Sequence, residues 1–287
     1  MKSVRVALVQ MSMSSSMDAN MEKVLQHIKD AAAQGAQIVA LPELFLSPYF
    51  PQEKGKNAAR YLMAIQSELL EQLCLAARQH KLVIIAGSFY EKRGKHNYNT
   101  SIVINSDGTI LGEYRKIHIP HDPGFYELDY FTPGTQYKIF ETKFGKIGVL
   151  ICYDQWFPEA ARSVALLGAD VIFYPTAIGH VEGIDEAEGD WIDAWVTVQR
   201  GHAIANNVHV AAINRVGKEG KTTFFGNSFV AGPFGTVLAR GSGQEELVIA
   251  DCDFSENKKV RDGWRFFASR RPEMYKAITK VSKTTGQ

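Results

Sequence analysis

A cysteine, a glutamate and a lysine each stand at or just past the end of a strand-like run, and together they supply what acyl transfer from a C–N bond requires. Cys152 closes the run Ile147-Gly148-Val149-Leu150-Ile151 and is followed by Tyr153-Asp154. A short aliphatic run after Phe144-Gly145-Lys146 predicts a buried strand. Gln155 to Arg162, with Pro158 in the first turn, predicts the start of a helix. The thiol is thereby placed on a sharp strand-to-helix turn, beside backbone N–H groups that a helix start leaves unpaired. Glu43 ends the run Gln37-Ile38-Val39-Ala40-Leu41-Pro42, and Lys116 lies just past another strand in Gly112-Glu113-Tyr114-Arg115-Lys116-Ile117-His118-Ile119-Pro120. Taken singly, each has an ordinary reading: a small buried hydrophobe, a helix-start acid and a solvated strand-end charge. Taken together at the carboxyl ends of strands, where open α/β sheets place their reactive crevice, they point to chemistry.

A thiol attacks a carbonyl well only as the thiolate, so it needs a base beside it. Glu43 would take the proton of Cys152 and later return it to the departing nitrogen. Lys116 would face the carbonyl oxygen as it becomes negative, and the backbone N–H of Tyr153 is the natural second donor. The reaction needs no metal and no organic cofactor. No histidine is assigned to catalysis, and Cys74 and Cys252 read as core thiols.

The elements that must hold these groups follow from periodicity. Strands are expected over Ser3–Gln10, Ile38–Leu41, Leu82–Ser88, Tyr98–Ile104, Thr109–Tyr114, Asp170–Tyr174, Val208–Asn214, Phe229–Ala231, Thr236–Arg240 and Leu247–Asp253. Asn105-Ser106-Asp107-Gly108 marks a hairpin between two of them. Helices are expected over Asp18–Gln34, with Asp18 as N-cap and Gly35 as stop, over Ser67–His80 and over Asp190–Asn206. Such a mixture of β-α-β units and antiparallel hairpins reads as α/β, with helices covering sheets.

Composition narrows the class. With 45% hydrophobic and 22% charged residues in 287, the chain has the make-up of a globular protein. A net charge of +1 and the lack of a basic stripe give no reason to invoke nucleic acid. No stretch approaches the ~20 apolar residues of a membrane span, and Val6-Ala7-Leu8-Val9 is too short for a signal peptide. The three cysteines form neither a disulfide framework nor a metal pattern, so a cytoplasmic location is expected. No linker or repeat divides the chain.

Leu41-Pro42-Glu43, Tyr114-Arg115-Lys116-Ile117-His118 and Ile151-Cys152-Tyr153-Asp154, in that order, resemble the signatures of the nitrilase superfamily of carbon–nitrogen hydrolases. The resemblance runs from Arg5 to about Asp253. It implies a four-layer α-β-β-α sandwich, with a hydrolase domain over residues 1–260 and a tail over 261–287 in subunit contacts. It also implies that Glu127, in Pro123-Gly124-Phe125-Tyr126-Glu127, is a second catalytic acid that holds Lys116 or orients substrate and water. A homodimer or higher homo-oligomer is expected from the same source. The large apolar groups Trp264, Phe266, Phe267, Met274 and Tyr275 after the last strand agree with it.

Cys152 to Glu159, Pro175 to Gly179 and Gln199 to Ala203 resemble the branch that hydrolyses N-carbamoylputrescine to putrescine, carbon dioxide and ammonia. Asp190-Trp191 departs from it, since related sequences often carry a His-Trp pair there. The alternatives are another amidase specificity, such as β-ureidopropionase or ω-amidase, and a non-catalytic scaffold on the same fold. A ureido amine carries a distal ammonium that an anion should meet. Between Gly179 and Trp191 lie Glu182, Asp185, Glu186, Glu188 and Asp190 without a Lys or Arg; Glu182 and Asp185 are expected at the site mouth, although charge runs are usually solvated. Tyr49 and Tyr153 are expected to line the pocket beside them.

Overall fold

A computed structural model describes residues 3–184 and 188–280 of the chain. In the first half, β1 (Val4–Gln10), α1 (Met17–Ala33), β2 (Ile38–Ala40), α2 (Glu68–His80), β3 (Val83–Arg93), β4 (His96–Ile104) and β5 (Ile110–Arg115) follow in order. The short hairpin of β6 (His121–Asp122) and β7 (Phe125–Tyr126) leads to β8 (Ile139–Thr142), β9 (Gly145–Val149), α3 (Pro158–Leu166) and β10 (Val171–Pro175). Then come β11 (Gly179–Val181), α4 (Trp191–Asn206), β12 (His209–Ile213), β13 (Val216–Glu219) and β14 (Thr222–Phe225). The last elements are β15 (Phe229–Ala231), β16 (Val237–Arg240), β17 (Glu246–Cys252) and α5 (Ser255–Trp264).

Two six-stranded sheets result, in the orders β17-β1-β2-β3-β4-β5 and β16-β15-β12-β10-β9-β8. The central strands β1-β2-β3 and β9-β10-β12 run parallel, and antiparallel strands close the edges. Alternation within the first sheet decides the layering. Ala7, Val9, Val39, Leu41, Ile84 and Ala86 pack under Met21, Val24 and Ile28 of α1 and Leu70 and Leu73 of α2. Their neighbours Val6, Leu8, Ile38, Ala40, Val83 and Ile85 face the other way and join the core of the second sheet, which α3 and α4 cover through Ala160, Val164, Trp195 and Ala203. This is the α-β-β-α sandwich.

Several boundaries differ from the periodicity. Ser16, not Asp18, caps α1, its side chain accepting from the N–H of Ala19 at 3.2 Å, while Asp18 sits in the first turn. Helix α3 begins at Pro158 itself, and residues Cys152–Trp156 form a separate 3-10 turn before it. Strand β3 runs on to Arg93 as the first arm of a long hairpin with β4. Helix α5 and the three-stranded sheet β11-β14-β13 were not expected. Among the described residues no helix is long and apolar enough to cross a membrane.

Candidate active site

The three groups come from different elements that end side by side. Glu43 follows β2, Lys116 follows β5 and Cys152 follows β9, and all three are buried. Cys152 has φ +43°, in the left-handed region that a non-glycine residue enters only at a cost. The turn is held there by Asp154, a fully buried carboxylate. Asp154 accepts from the N–H of Ile151 at 2.9 Å, the hydroxyl of Tyr114 at 2.7 Å and the N–H of His118 at 3.0 Å. Since Tyr114 and His118 flank Lys116, this carboxylate also ties the lysine's segment to the nucleophile's turn. The indole N–H of Trp195 on α4 donates to Gln155 Oε1 at 2.8 Å and fixes the far side of the turn.

Glu43 sits on a second sharp turn. Leu44 has φ +49°, and Ser88 captures its N–H through the hydroxyl at 3.0 Å. At Gly87 (φ +27°) the strand passes so close that a Cβ would lie 2.0 Å from the carbonyl oxygen of Pro42. Only glycine lets β3 approach that closely. Lys116 is steadied from β3 as well, because its neighbour Arg115 pairs with the nearly buried Glu91 at 2.7 Å.

These elements bring Lys116 Nζ to 2.9 Å from Glu43 Oε1 and to 2.8 and 2.7 Å from the two oxygens of Glu127. Asn99 donates to the same Glu43 oxygen at 2.7 Å, while Glu43 Oε2 is buried without a hydrogen-bond partner among the described residues. That second oxygen can therefore accept a proton. The hydroxyl of Tyr49 donates to Glu127 Oε1 at 2.7 Å. Cys152, Glu127, Tyr153, Gln155, Trp156, Ala177 and Ile178 line a cavity of about 580 Å³ with Asp122, Phe125, Ile184, Glu188 and Trp191.

The charges bear on one another strongly because water is excluded. Burial raises the Glu127 carboxyl, Lys116 opposes the shift and the like charge of Glu43 adds to it, leaving it at about 7. Burial works against the charge of Lys116, yet Glu127 and Glu43 outweigh it and hold the ammonium above its usual range. Burial, and then Glu43, push the Cys152 thiol well up, against the pull of Lys116 and of the N–H of Ala177 on the sulfur. A neutral thiol beside a carboxylate and an ammonium can transfer its proton while attacking an electrophile, with Lys116 placed to meet the negative charge that forms.

A carbon–nitrogen hydrolase family model matches residues 5–262. The chain belongs to the carbon–nitrogen hydrolase family. It is 40% identical to an N-carbamoylputrescine amidase of Arabidopsis thaliana over 96% of this chain and 95% of that protein. It is 37% identical to a citrullinase of Francisella tularensis subsp. tularensis, over 98% of this chain and 99% of that one. A crystal structure of a carbon–nitrogen hydrolase from Helicobacter pylori G27 superposes with a TM-score of 0.89 at 38% identity, covering 96% of this chain and 98% of that one. The family is one of hydrolases acting on amides and ureides.

Not every anticipated residue of this hydrolase reaches the cavity. Tyr49 is fully buried behind Glu127, wedged edge-on against Phe125 and Phe224, and so braces the acid instead of lining the wall. Glu182 is exposed and paired with Lys218 at 2.6 Å, away from the lining, and Asp185 lies outside the described residues. Among the described residues of that acidic segment, Glu188 lines the cavity. Asp190 caps α4, accepting from the N–H of Asp193 at 2.9 Å. Sequence reading passed over Asn99, Asp154 and Gln155 as site residues. Asp154 and Gln155 lie beside Cys152 in the same motif; Asn99 carries no local signal, since only strand pairing brings it to Glu43.

Proposed function

We propose that Cys152 is the nucleophile of a hydrolase acting on N-carbamoylputrescine, with Glu43 as base and acid, Lys116 and the Tyr153 N–H as oxyanion donors and Glu127 as the anchor of Lys116. Cys152 Sγ attacks the ureido carbon as its proton passes to Glu43 Oε2. The tetrahedral oxyanion is met by Lys116 and by the leading N–H groups of the 3-10 turn, which have no partner within that turn. Glu43 then protonates one nitrogen, the C–N bond breaks and a thiocarbamate remains on Cys152. Water, deprotonated by Glu43, attacks it and expels the thiol. The carbamate released falls to carbon dioxide and the remaining amine.

The observation that carries the choice of substrate is the sign of the wall. Asp122 and Glu188 stand among Phe125, Trp156, Ile184 and Trp191, and the described wall holds no Lys or Arg. That suits an alkyl chain ending in an ammonium, with aromatic faces for the stem. A ureido acid or an ω-amide would bring a carboxylate with no cation to receive it, and citrulline would satisfy only its ammonium. Ammonia release from N-carbamoylputrescine, citrulline, 3-ureidopropionate and glutaramate tests the reading. The ureido amine should lead in kcat/KM by roughly tenfold or more, one desolvated charge pair being worth at least ~1.4 kcal/mol. A ureido acid or ω-amide that equals or exceeds it overturns the assignment.

A further inference from the structure

Behind the catalytic carboxylates lies a second buried ion pair that touches neither the cavity nor the reacting groups. Arg215 follows β12 and its side chain is completely buried; Glu219 ends β13 at 11% exposure, and the two meet at 2.9 Å. Placing a guanidinium in the interior is unfavourable unless acceptors meet it; Arg215 Nε has no hydrogen-bond partner among the described residues, and both terminal nitrogens are used. Arg215 donates to the carbonyl of Leu44 at 2.8 Å and also to that of Ser47, and it stacks over Phe224 with 5.3 Å to the ring centroid. The second oxygen of Glu219 accepts the N–H of Tyr49 at 2.6 Å. The pair therefore grips both ends of the segment that leads from Glu43 to Tyr49.

The grip continues to the chemistry through hydrogen bonds already described: Tyr49 to Glu127, Glu127 to Lys116 and Lys116 to Glu43. Together with the chain from Glu43 to Tyr49 they close a ring, and Arg215 with Glu219 is the clamp on its covalent arc. We infer that Arg215 and Glu219 are positioning residues for the hydrolysis, setting where the hydroxyl of Tyr49 stands and through it the orientation of Glu127 and Lys116. The inference rests on the roles assigned above to Glu43, Lys116 and Glu127. It adds that the small sheet β11-β14-β13 is a support for catalysis and not surface decoration.

A double-mutant cycle tests it, using N-carbamoylputrescine and propionamide. E219Q offers one acceptor oxygen where two donors call, and E219D keeps the charge but shortens its reach; Y49F removes the hydroxyl that the clamp positions. Each variant is checked for folding by circular dichroism, and either Glu219 variant that folds decides the question. Expected is a fall in kcat of roughly tenfold to a hundredfold, the scale set by a displacement of about 1 Å at a catalytic group. KM should change by less than about threefold for both substrates, since the clamp forms no part of the wall. On the Y49F background the Glu219 change should add almost nothing, because both act through one contact. Unaltered kcat in a folded Glu219 variant, or effects that add fully in the double mutant, overturns the inference. C152A is run alongside: activity there would instead overturn the catalytic assignments.

Discussion

The carboxyl at about 7 next to Lys116 should set the acid side of the enzyme's pH profile, and Glu127→Gln should remove it. Glu127 and Glu43 are both buried against one ammonium. As pH falls through about 7 Glu127 takes up a proton, and the charged anchor that holds Lys116 is weakened. kcat/KM should therefore rise with pH through about 7. Glutamine at 127 removes that titrating group, so the acid limb near 7 should vanish from the profile. kcat should drop as well, since Lys116 keeps only Glu43 as an anchor. Stability supplies an independent readout. A carboxyl raised from 4.5 to about 7 stabilises the folded state fully below 4.5, and that contribution is lost as pH rises through about 7. This group alone should lower the unfolding free energy by roughly 3 kcal/mol between those limits, and E127Q should lack that slope. The assays are ammonia release from pH 5 to 9 and urea unfolding at matched pH. A parent profile flat from pH 5.5 to 8, or an acid limb unmoved in E127Q, refutes the reasoning.

Cys152→Ala and Cys152→Ser should fold and release no ammonia, whereas Cys74→Ala and Cys252→Ser should keep turnover; mass spectrometry of quenched reactions should find the adduct on Cys152 only. Glu188→Gln should raise KM for N-carbamoylputrescine by roughly tenfold and leave propionamide unchanged, while Glu182→Gln, at the Lys218 surface pair, should alter neither; equal responses to both changes contradict the assignment of the distal ammonium. Gly87→Ala should destabilise by ~3 kcal/mol or more in denaturant unfolding, because the added methyl meets the Pro42 carbonyl, and should depress kcat by shifting Glu43. Trp264, Met274 and Ile278 are each more than half exposed, so light scattering at micromolar concentration should give at least a dimer mass, and a monomer would remove the proposed role of the tail.

The residues legible in the sequence were those whose meaning is local. Cys152 and Glu43 each end an apolar run, and the positive φ at Cys152 and Leu44 is the physical form of that abrupt stop. The strands were visible as short apolar runs and the helices as apolar faces, which give an α/β class; the sandwich itself came from resemblance. What stayed hidden depends on distant partners. Asn99 is one more polar residue in a strand until β4 brings it to Glu43, and Arg215 looks like an ordinary surface cation until β12 ends against Leu44. Acidic residues between Gly179 and Trp191 look alike in sequence, yet one caps a helix, one pairs with Lys218 and one lines the cavity. Charge pattern cannot tell these fates apart, because they are decided by which neighbour the fold supplies.

The resting state of the nucleophile follows from the local sum of charge. Two carboxylates face one ammonium around Cys152, so a thiolate in the empty site would be a third anion in a place closed to water. Burial and Glu43 accordingly push the thiol up, unlike cysteines whose ion pair with a neighbouring cation keeps them ionised. The negative charge is better tolerated once it has moved to the carbonyl oxygen, where Lys116 and backbone N–H groups can meet it. In the mechanism proposed above, proton transfer to Glu43 and bond formation to carbon are then one event, each making the other easier. A substrate carbonyl is thus what completes the nucleophile, and the buried framework of Asn99, Asp154, Tyr49 and Arg215 keeps two mutually repelling carboxylates and the neutral thiol gathered around a single lysine until it arrives.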